Sequence, residues 1–213
     1  MATTRAATDT GRAPLTRDRI LRAALNYVDE HGLESLSMHK LGAELGVKGM
    51  SLYNHVAGKD DVLDGVVETL WTEVEDAAPP DPDWHRGYRQ FAHALRDVLH
   101  QHPNAAPLIT ARQVMPIPAL RAVRAHITAA VDSGVAEDRA YELLRTLTSY
   151  ALGHALAYLS WGLGCPGCVP SVRDLLRPGT PDDLAGVADV FCGQSDPDAQ
   201  FELGLDLMIR GSS

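Results

Sequence analysis

With 213 residues, 45% of them hydrophobic, the chain is long enough for one moderate helical domain and a smaller one that shares its core. It contains no apolar run of about 18 residues, and its opening MATTRAATDTGRAP has no apolar stretch, which argues against a membrane span or secretory signal and predicts a cytoplasmic protein. The net charge of −9 is uneven, with 8 Lys+Arg against 7 Asp+Glu in residues 1–60 and 11 against 21 in residues 61–213, so a polyanion such as DNA is excluded everywhere except at the first quarter of the chain.

Residues 1–15 mix Thr, Ala, Gly and Pro with Arg5 and Arg12, show no period, and read as a flexible N-terminal arm. From Thr16, the residues Ile20, Leu21, Ala24, Leu25 and Val28 form one apolar stripe that stops at Gly32, which predicts a helix over 16–31. Ser37 can cap a short second helix carrying Leu41 and Leu45, Gly46 breaks it, and a third short helix is expected over 48–55. Two short helices around a glycine-bearing turn are a helix-turn-helix pattern. A longer fourth helix opens at Lys59 and Asp60 and carries Val62, Leu63, Val66, Val67, Leu70, Trp71 and Val74 at helical spacing. The proline-rich AAPPDPD, residues 77–83, ends it and is the sharpest break in composition.

Further helices are expected over 84–101, 103–111, 117–132, 137–163 and 197–210. Gly164–Asp196, rich in Pro, Gly and Asp, reads as a long loop with a helical turn near 171–176. With no alternating strand pattern, the expected fold is all-α: an arm over 1–15, a three-helix unit with the helix-turn-helix over 16–60, and a larger helical body over 61–213, joined through the fourth helix.

The segment LSMHKLGAELGVKGMSLYNHVAGK, residues 36–59, carries the chemistry. A helix that enters the major groove packs through one side and offers polar or small side chains on the other. Val47, Leu52 and Val56 supply the inner side, leaving Lys48, Gly49, Met50, Ser51, Tyr53, Asn54 and His55 outside. Tyr53 and His55 have donors suited to phosphate oxygens, and Lys59 can meet a phosphate at the positive end of the fourth helix. His39 and Lys40 can reach the flanking strand. The alternative is that Tyr53 and His55 only pack on the first or fourth helix.

Together with LTRDRILRAALNYVDEHGLESLS, residues 15–37, this segment resembles the DNA-binding region of the tetracycline-repressor (TetR) family. The resemblance implies a dimeric repressor of double-stranded operator DNA, with His39 where family members touch a base and Tyr53, His55 and Lys59 where they touch phosphates. Gly49 and Met50 depart from the tetracycline repressor, so a different operator is expected. Two half-sites require two copies, and the dimer candidates are Leu152, Leu156, Tyr158, Leu159, Phe201, Leu205 and Met208 on the last two long helices. By resemblance these helices form a four-helix bundle, and Phe201-Glu202-Leu203-Gly204-Leu205-Asp206 is similar to the tail of that type of C-terminal domain.

The same resemblance implies a small-molecule inducer between the fourth helix and the bundle, where inward residues Leu70, Trp71, Tyr88, Phe91, Leu95, Ile109, Gln113, Leu147, Thr148, Ala151, His154 and Trp161 could line the site or form plain core. Tetracycline itself is not expected, because Glu75, Phe91, Leu95, Ile109 and Arg112 stand where drug- and magnesium-binding side chains would be needed. A largely apolar, flat effector suits the composition better. No cofactor, metal or catalytic set is expected: Ser51, His55 and Asp60 lie on the DNA-facing surface, and most of the nine histidines read as solvated or capping. Two alternatives stay open: thiol or metal sensing through Cys165-Pro-Gly-Cys168 with Cys192, and transcriptional activation by the same fold.

Overall fold

The computed structural model describes residues 14–160, 172–193 and 196–210. Among these the fold is all-α, as expected. The head comprises α1 (Arg17–His31), α2 (Met38–Glu44) and α3 (Gly49–Leu52), with a 3-10 turn at Leu33–Ser35. Helix α4 (Lys59–Ala77) leads into the body: α5 (Trp84–Gln101), α6 (Leu108–Ala111), α7 (Ile117–Asp132), α8 (Glu137–Ser160), α9 (Val172–Leu175), α10 (Asp182–Gly193) and α11 (Pro197–Arg210).

Local chemistry sets these boundaries. Thr16 Oγ1 accepts from the Arg19 amide, Ser37 Oγ from Lys40 and Asp83 Oδ1 from His85. Each such cap satisfies an otherwise orphaned donor and stabilises its helix by about 1 kcal/mol. Gly32 ends α1 at a φ of 79°, a region that side chains with a Cβ avoid. Pro118 in the first turn of α7 gives up an amide that has no helical partner there anyway.

Helix α4 packs on α1 in the head and on α5 and α7 in the body, while α8 packs on α5, α7 and α11. One apolar cluster therefore runs from Ile20, Leu41 and Leu52 through Val66 and Leu70 to Phe91, Leu95, Leu147 and Phe201. None of the described helices is long and apolar enough to cross a membrane.

Three element boundaries differ from expectation, and a fourth lies outside the described residues. The third helix stops at Leu52, and Tyr53–His55 form the turn after it. The helix expected over 103–111 is confined to Leu108–Ala111, because residues 103–107 make a chain of tight turns. Helix α8 is described to Ser160, with 161–163 outside the described residues. The expected loop over Gly164–Asp196 contains the twelve-residue α10, opened by Pro181-Asp182-Asp183. Its Leu184, Val187, Val190 and Phe191 are 56%, 62%, 65% and 80% exposed, so among the described residues this stripe is largely uncovered. High Gly, Pro and Asp content concealed that stripe.

Candidate nucleic-acid interface and ligand site

The α2–α3 turn is held by an absence of side chains. A Cβ on Gly42 would lie 2.9 Å from both Cα and N of Gly49 and 3.0 Å from the Val47 carbonyl oxygen. The Val47 amide donates to the Gly42 carbonyl at 2.8 Å across the same contact. Gly49 faces inward too, since its own Cβ would meet the Met38 carbonyl oxygen at 3.2 Å. Gly49, expected to face the groove, is thus a packing position. The role of Gly42 went unread, although a glycine inside a short helix, seven residues before another, signals a close backbone approach.

On that frame Leu52 and Val56 are buried and Val47 half-buried, so the inner side lies where the pattern put it. His39, Lys40, Lys48, Asn54, His55 and Lys59 are exposed, and Ser51 is half-buried. Met50 is 77% and Tyr53 48% exposed, so Tyr53 is not a core residue. Lys40 Nζ donates to the Ser35 carbonyl at 3.1 Å, while Lys48 and Lys59 form no ion pair among the described residues. These residues make one polar, partly cationic surface across α2, α3 and the start of α4.

Arg17 braces this surface from behind, donating to Asp61 and Glu68 of α4 at 2.9 Å each. Asp61 Oδ2 also accepts from the Ala57 amide at 2.8 Å, and this bond, with Arg17, holds its carboxyl below the usual range. The N-terminus of α4 is therefore already partly compensated by its own carboxylate, which leaves Lys59 as the group there that offers charge outward.

In the body, aromatic rings from three helices converge. Trp71 of α4 stacks near Phe91 of α5 with centroids 6.5 Å apart, and His126 of α7 lies 4.9 Å from Phe91 and 6.4 Å from Tyr88. The Tyr88 hydroxyl donates to the Ala140 carbonyl at 3.0 Å, and burial pushes its pKa up to about 12. His126 is 1% exposed. Its Nδ1 lies 2.8 Å from the Ala122 carbonyl, a contact that only an Nδ1–H can make favourable. Burial holds its pKa below the ordinary histidine value despite that bond, so the ring is neutral and Nε2 is a bare acceptor. Nε2 has no hydrogen-bond partner. His126 is an exception to the expectation that most histidines are solvated or capping: it sits on the buried stripe of α7 with Ala119, Ala122 and Ala130.

The other expected ligand residues scatter. Leu70, Leu95, Leu147 and Ala151 are fully buried core, Ile109 and Thr148 are half-buried, and Gln113 is exposed on the α6–α7 loop. Thr148 is satisfied by the Leu144 carbonyl. His154 belongs to a different face, where its Nε2 meets the Pro197 carbonyl at 3.1 Å and its ring lies 4.9 Å from Phe201. Trp161, Cys165 and Cys168 lie outside the described residues, as does the side chain of Cys192. Arg112 pairs with Asp60 and Asp64, and Arg121 with Glu75, so Glu75 and Arg112 are tied into ion pairs. No cluster able to hold a metal occurs among the described residues.

Of the expected dimer residues, Leu152, Leu156, Tyr158, Leu159 and Met208 are half-buried, whereas Phe201 and Leu205 are fully buried inside the chain. A side chain with no exposed surface has none to offer a partner, so α11 presents Leu203 and Leu207 outward instead, 60% and 68% exposed. The α10 stripe is a second exposed apolar face.

Two family profiles cover nearly all of the chain: "Bacterial regulatory proteins, tetR family" over residues 20–66 and "Tetracyclin repressor-like, C-terminal domain" over residues 77–212. An HTH-type transcriptional regulator of Saccharopolyspora erythraea is 29% identical over 92% of this chain and 84% of its own length. The Streptomyces coelicolor TetR family protein ActR, solved in complex with actinorhodin, superposes with a TM-score of 0.75 at 28% identity, covering 94% of this chain and 97% of that one. BioQ, solved from Mycobacterium smegmatis and also with its double-stranded DNA operator, superposes in the latter with a TM-score of 0.62 at 25% identity over 93% and 98% of the two chains.

Proposed function

The chain belongs to the TetR family of bacterial regulatory proteins, and from that premise we propose that it is a homodimeric repressor that releases its operator when a flat, largely apolar ligand enters between α4, α5 and α7. The observation that carries operator binding is the exposed row Lys48, Met50, Tyr53, Asn54, His55 and Lys59 on a rigidly braced α2–α3 frame. A recognition helix of four residues reads few base pairs, so two copies are needed. The uncovered apolar faces of α10 and α11 support self-association.

The test is fluorescence anisotropy with a labelled duplex that the protein itself selects from a random-sequence library. Lys59→Ala is expected to weaken binding of every selected sequence alike, and to flatten the dependence of log K on log[salt] by about 0.9 per lost phosphate contact, hence about 2 for a dimer. An unchanged salt slope would remove Lys59 from the interface. Operator release would be screened with flat polycyclic aromatics, and failure of all of them to shift anisotropy would sink the ligand half of the proposal.

His126 supports an aromatic ligand that also carries a donor, because a buried acceptor left unmatched costs about 1–3 kcal/mol that a ligand hydroxyl would recover. His126→Phe keeps the ring and removes the acceptor. It is expected to weaken a hydroxylated ligand about 10-fold, by calorimetric titration, and to leave the matching O-methyl ether unchanged.

A further inference from the structure

Beyond ligand and operator, His102 joins the two halves of the molecule in a way neither function explains. It caps α5, deep in the body's sequence, yet its Nδ1 lies 2.6 Å from Asp29 Oδ2 of α1 and its Nε2 lies 2.8 Å from Glu73 Oε2 of α4. The ring is 15% exposed. Two residues on, Asn104 Nδ2 donates to the Asp29 main-chain carbonyl at 2.9 Å. Asp29 is thus gripped by the body at its side chain and its backbone.

We propose that His102 is a positioning residue for operator binding: clamped between Asp29 of the head and Glu73 of α4, it fixes the tilt of the head on the body, and one proton on its ring tightens or loosens that joint. This rests on the operator-binding reading above.

The geometry carries the proton count. A neutral imidazole has one N–H and one lone pair, whereas here both nitrogens face carboxylate oxygens. Only the imidazolium donates in both directions, through two charge-assisted bonds. Deprotonation would turn one ring lone pair toward a carboxylate at 2.6 or 2.8 Å and break that side of the clamp. Asp29 has little else to hold it, since its Oδ1 is buried without a partner.

The charged groups that face His102 are Asp29 from α1 and Glu73 from α4. Burial alone draws its pKa down, but the hydrogen bonds and charges of those two carboxylates together outweigh it and hold the value above the ordinary one. For a base so raised, the stabilisation is complete below the ordinary value of about 6.5 and is lost as pH rises through the elevated one. The joint therefore loosens on the alkaline side. His100, His126 and His154 are held below the ordinary value by burial, so their own effect runs the opposite way and is lost in acid.

The experiment compares wild type and His102→Gln, both full length, on the selected duplex from pH 6 to 9. His39 and His55 are exposed and common to both proteins, so only the difference between the curves reports on His102. Wild type is expected to lose about 10-fold more affinity than His102→Gln across this range, the factor that one pH unit of proton linkage represents. Nitrogen-15 NMR of the His102 ring should show both nitrogens protonated at pH 7. Should His102→Gln fail to fold, Glu73→Gln, which keeps the ring and one carboxylate, is expected to move the affinity loss to lower pH. Parallel curves, or a neutral ring at pH 7, would overturn the proposal while leaving operator binding intact. Failure of the wild type to select any duplex would refute operator binding and this proposal with it.

Discussion

A Gly42→Val variant should lose operator binding almost entirely while its body stays folded. The added side chain begins 2.9 Å from backbone atoms of Gly49, and backbone, unlike the end of a flexible side chain, cannot rotate away. Either α3 moves off α2 or α2 unwinds, and both displace the row from Lys48 to His55. Restoring the native spacing costs about 1–3 kcal/mol per head, as for other overpacked sites. With the two heads of the proposed dimer, affinity should fall between about 30-fold and 20,000-fold. The measurement is anisotropy on the selected duplex beside far-ultraviolet circular dichroism. Retained helicity with lost binding is the expected pair, and a dissociation constant within threefold of wild type would show that the frame tolerates the change.

A Phe201→Ala variant should lose stability and self-association together. The ring is fully buried and is packed from several sides: Tyr150 stacks at 5.3 Å, His154 and His93 lie at 4.9 and 5.2 Å, and the Arg96 guanidinium sits 4.4 Å over its face. It anchors α11 to α8 and α5, assisted by ion pairs from Arg89 to Glu202 and Asp206. Those pairs are only half-buried and contribute little by comparison. Truncating a buried phenyl costs about 3–5 kcal/mol, which for a chain of this size lowers the Tm by roughly 6–20 °C. Because Leu203 and Leu207 ride on the same helix, loosening α11 should also weaken the proposed dimer, read by sedimentation. A thermal shift of under 2 °C, about 1 kcal/mol or less, would mean that α11 is held from elsewhere.

Most of the fold was legible because periodicity and capping agree. Thr16, Ser37 and Gly32 mark boundaries through chemistry that acts within a few residues, and the structure uses each as the pattern implies. Non-local features were not. Nothing near Gly42 in sequence says that Gly49 will lie against it, and nothing near His102 says that Asp29, 73 positions earlier, will be its partner. The exposure pattern of the row from Lys48 to Lys59 was legible, since an outward residue is defined by the inward ones beside it. The aromatic interior was legible in part: Trp71 and Phe91 do stack, but His126, which links Phe91 to Tyr88, lies in an alanine-rich stripe that offers no aromatic period to follow. Helix α10 was hidden by the Gly, Pro and Asp around it, and its apolar stripe stays largely exposed among the described residues, so no buried face marks it.

Helix α4 lends one flank to the head and the other to the body, so the apolar interior has no seam at residue 60. Chimeric sensors built by grafting a foreign reading head onto this body would inherit a mismatched spine if spliced there. A splice in the proline-rich stretch after Ala77 would carry the whole helix with the graft and shift the repair to its contacts with α5 and α7. Modularity in this architecture is thus bounded by a shared strut, and the number of side chains to be re-matched depends on which side of that strut the scissors fall.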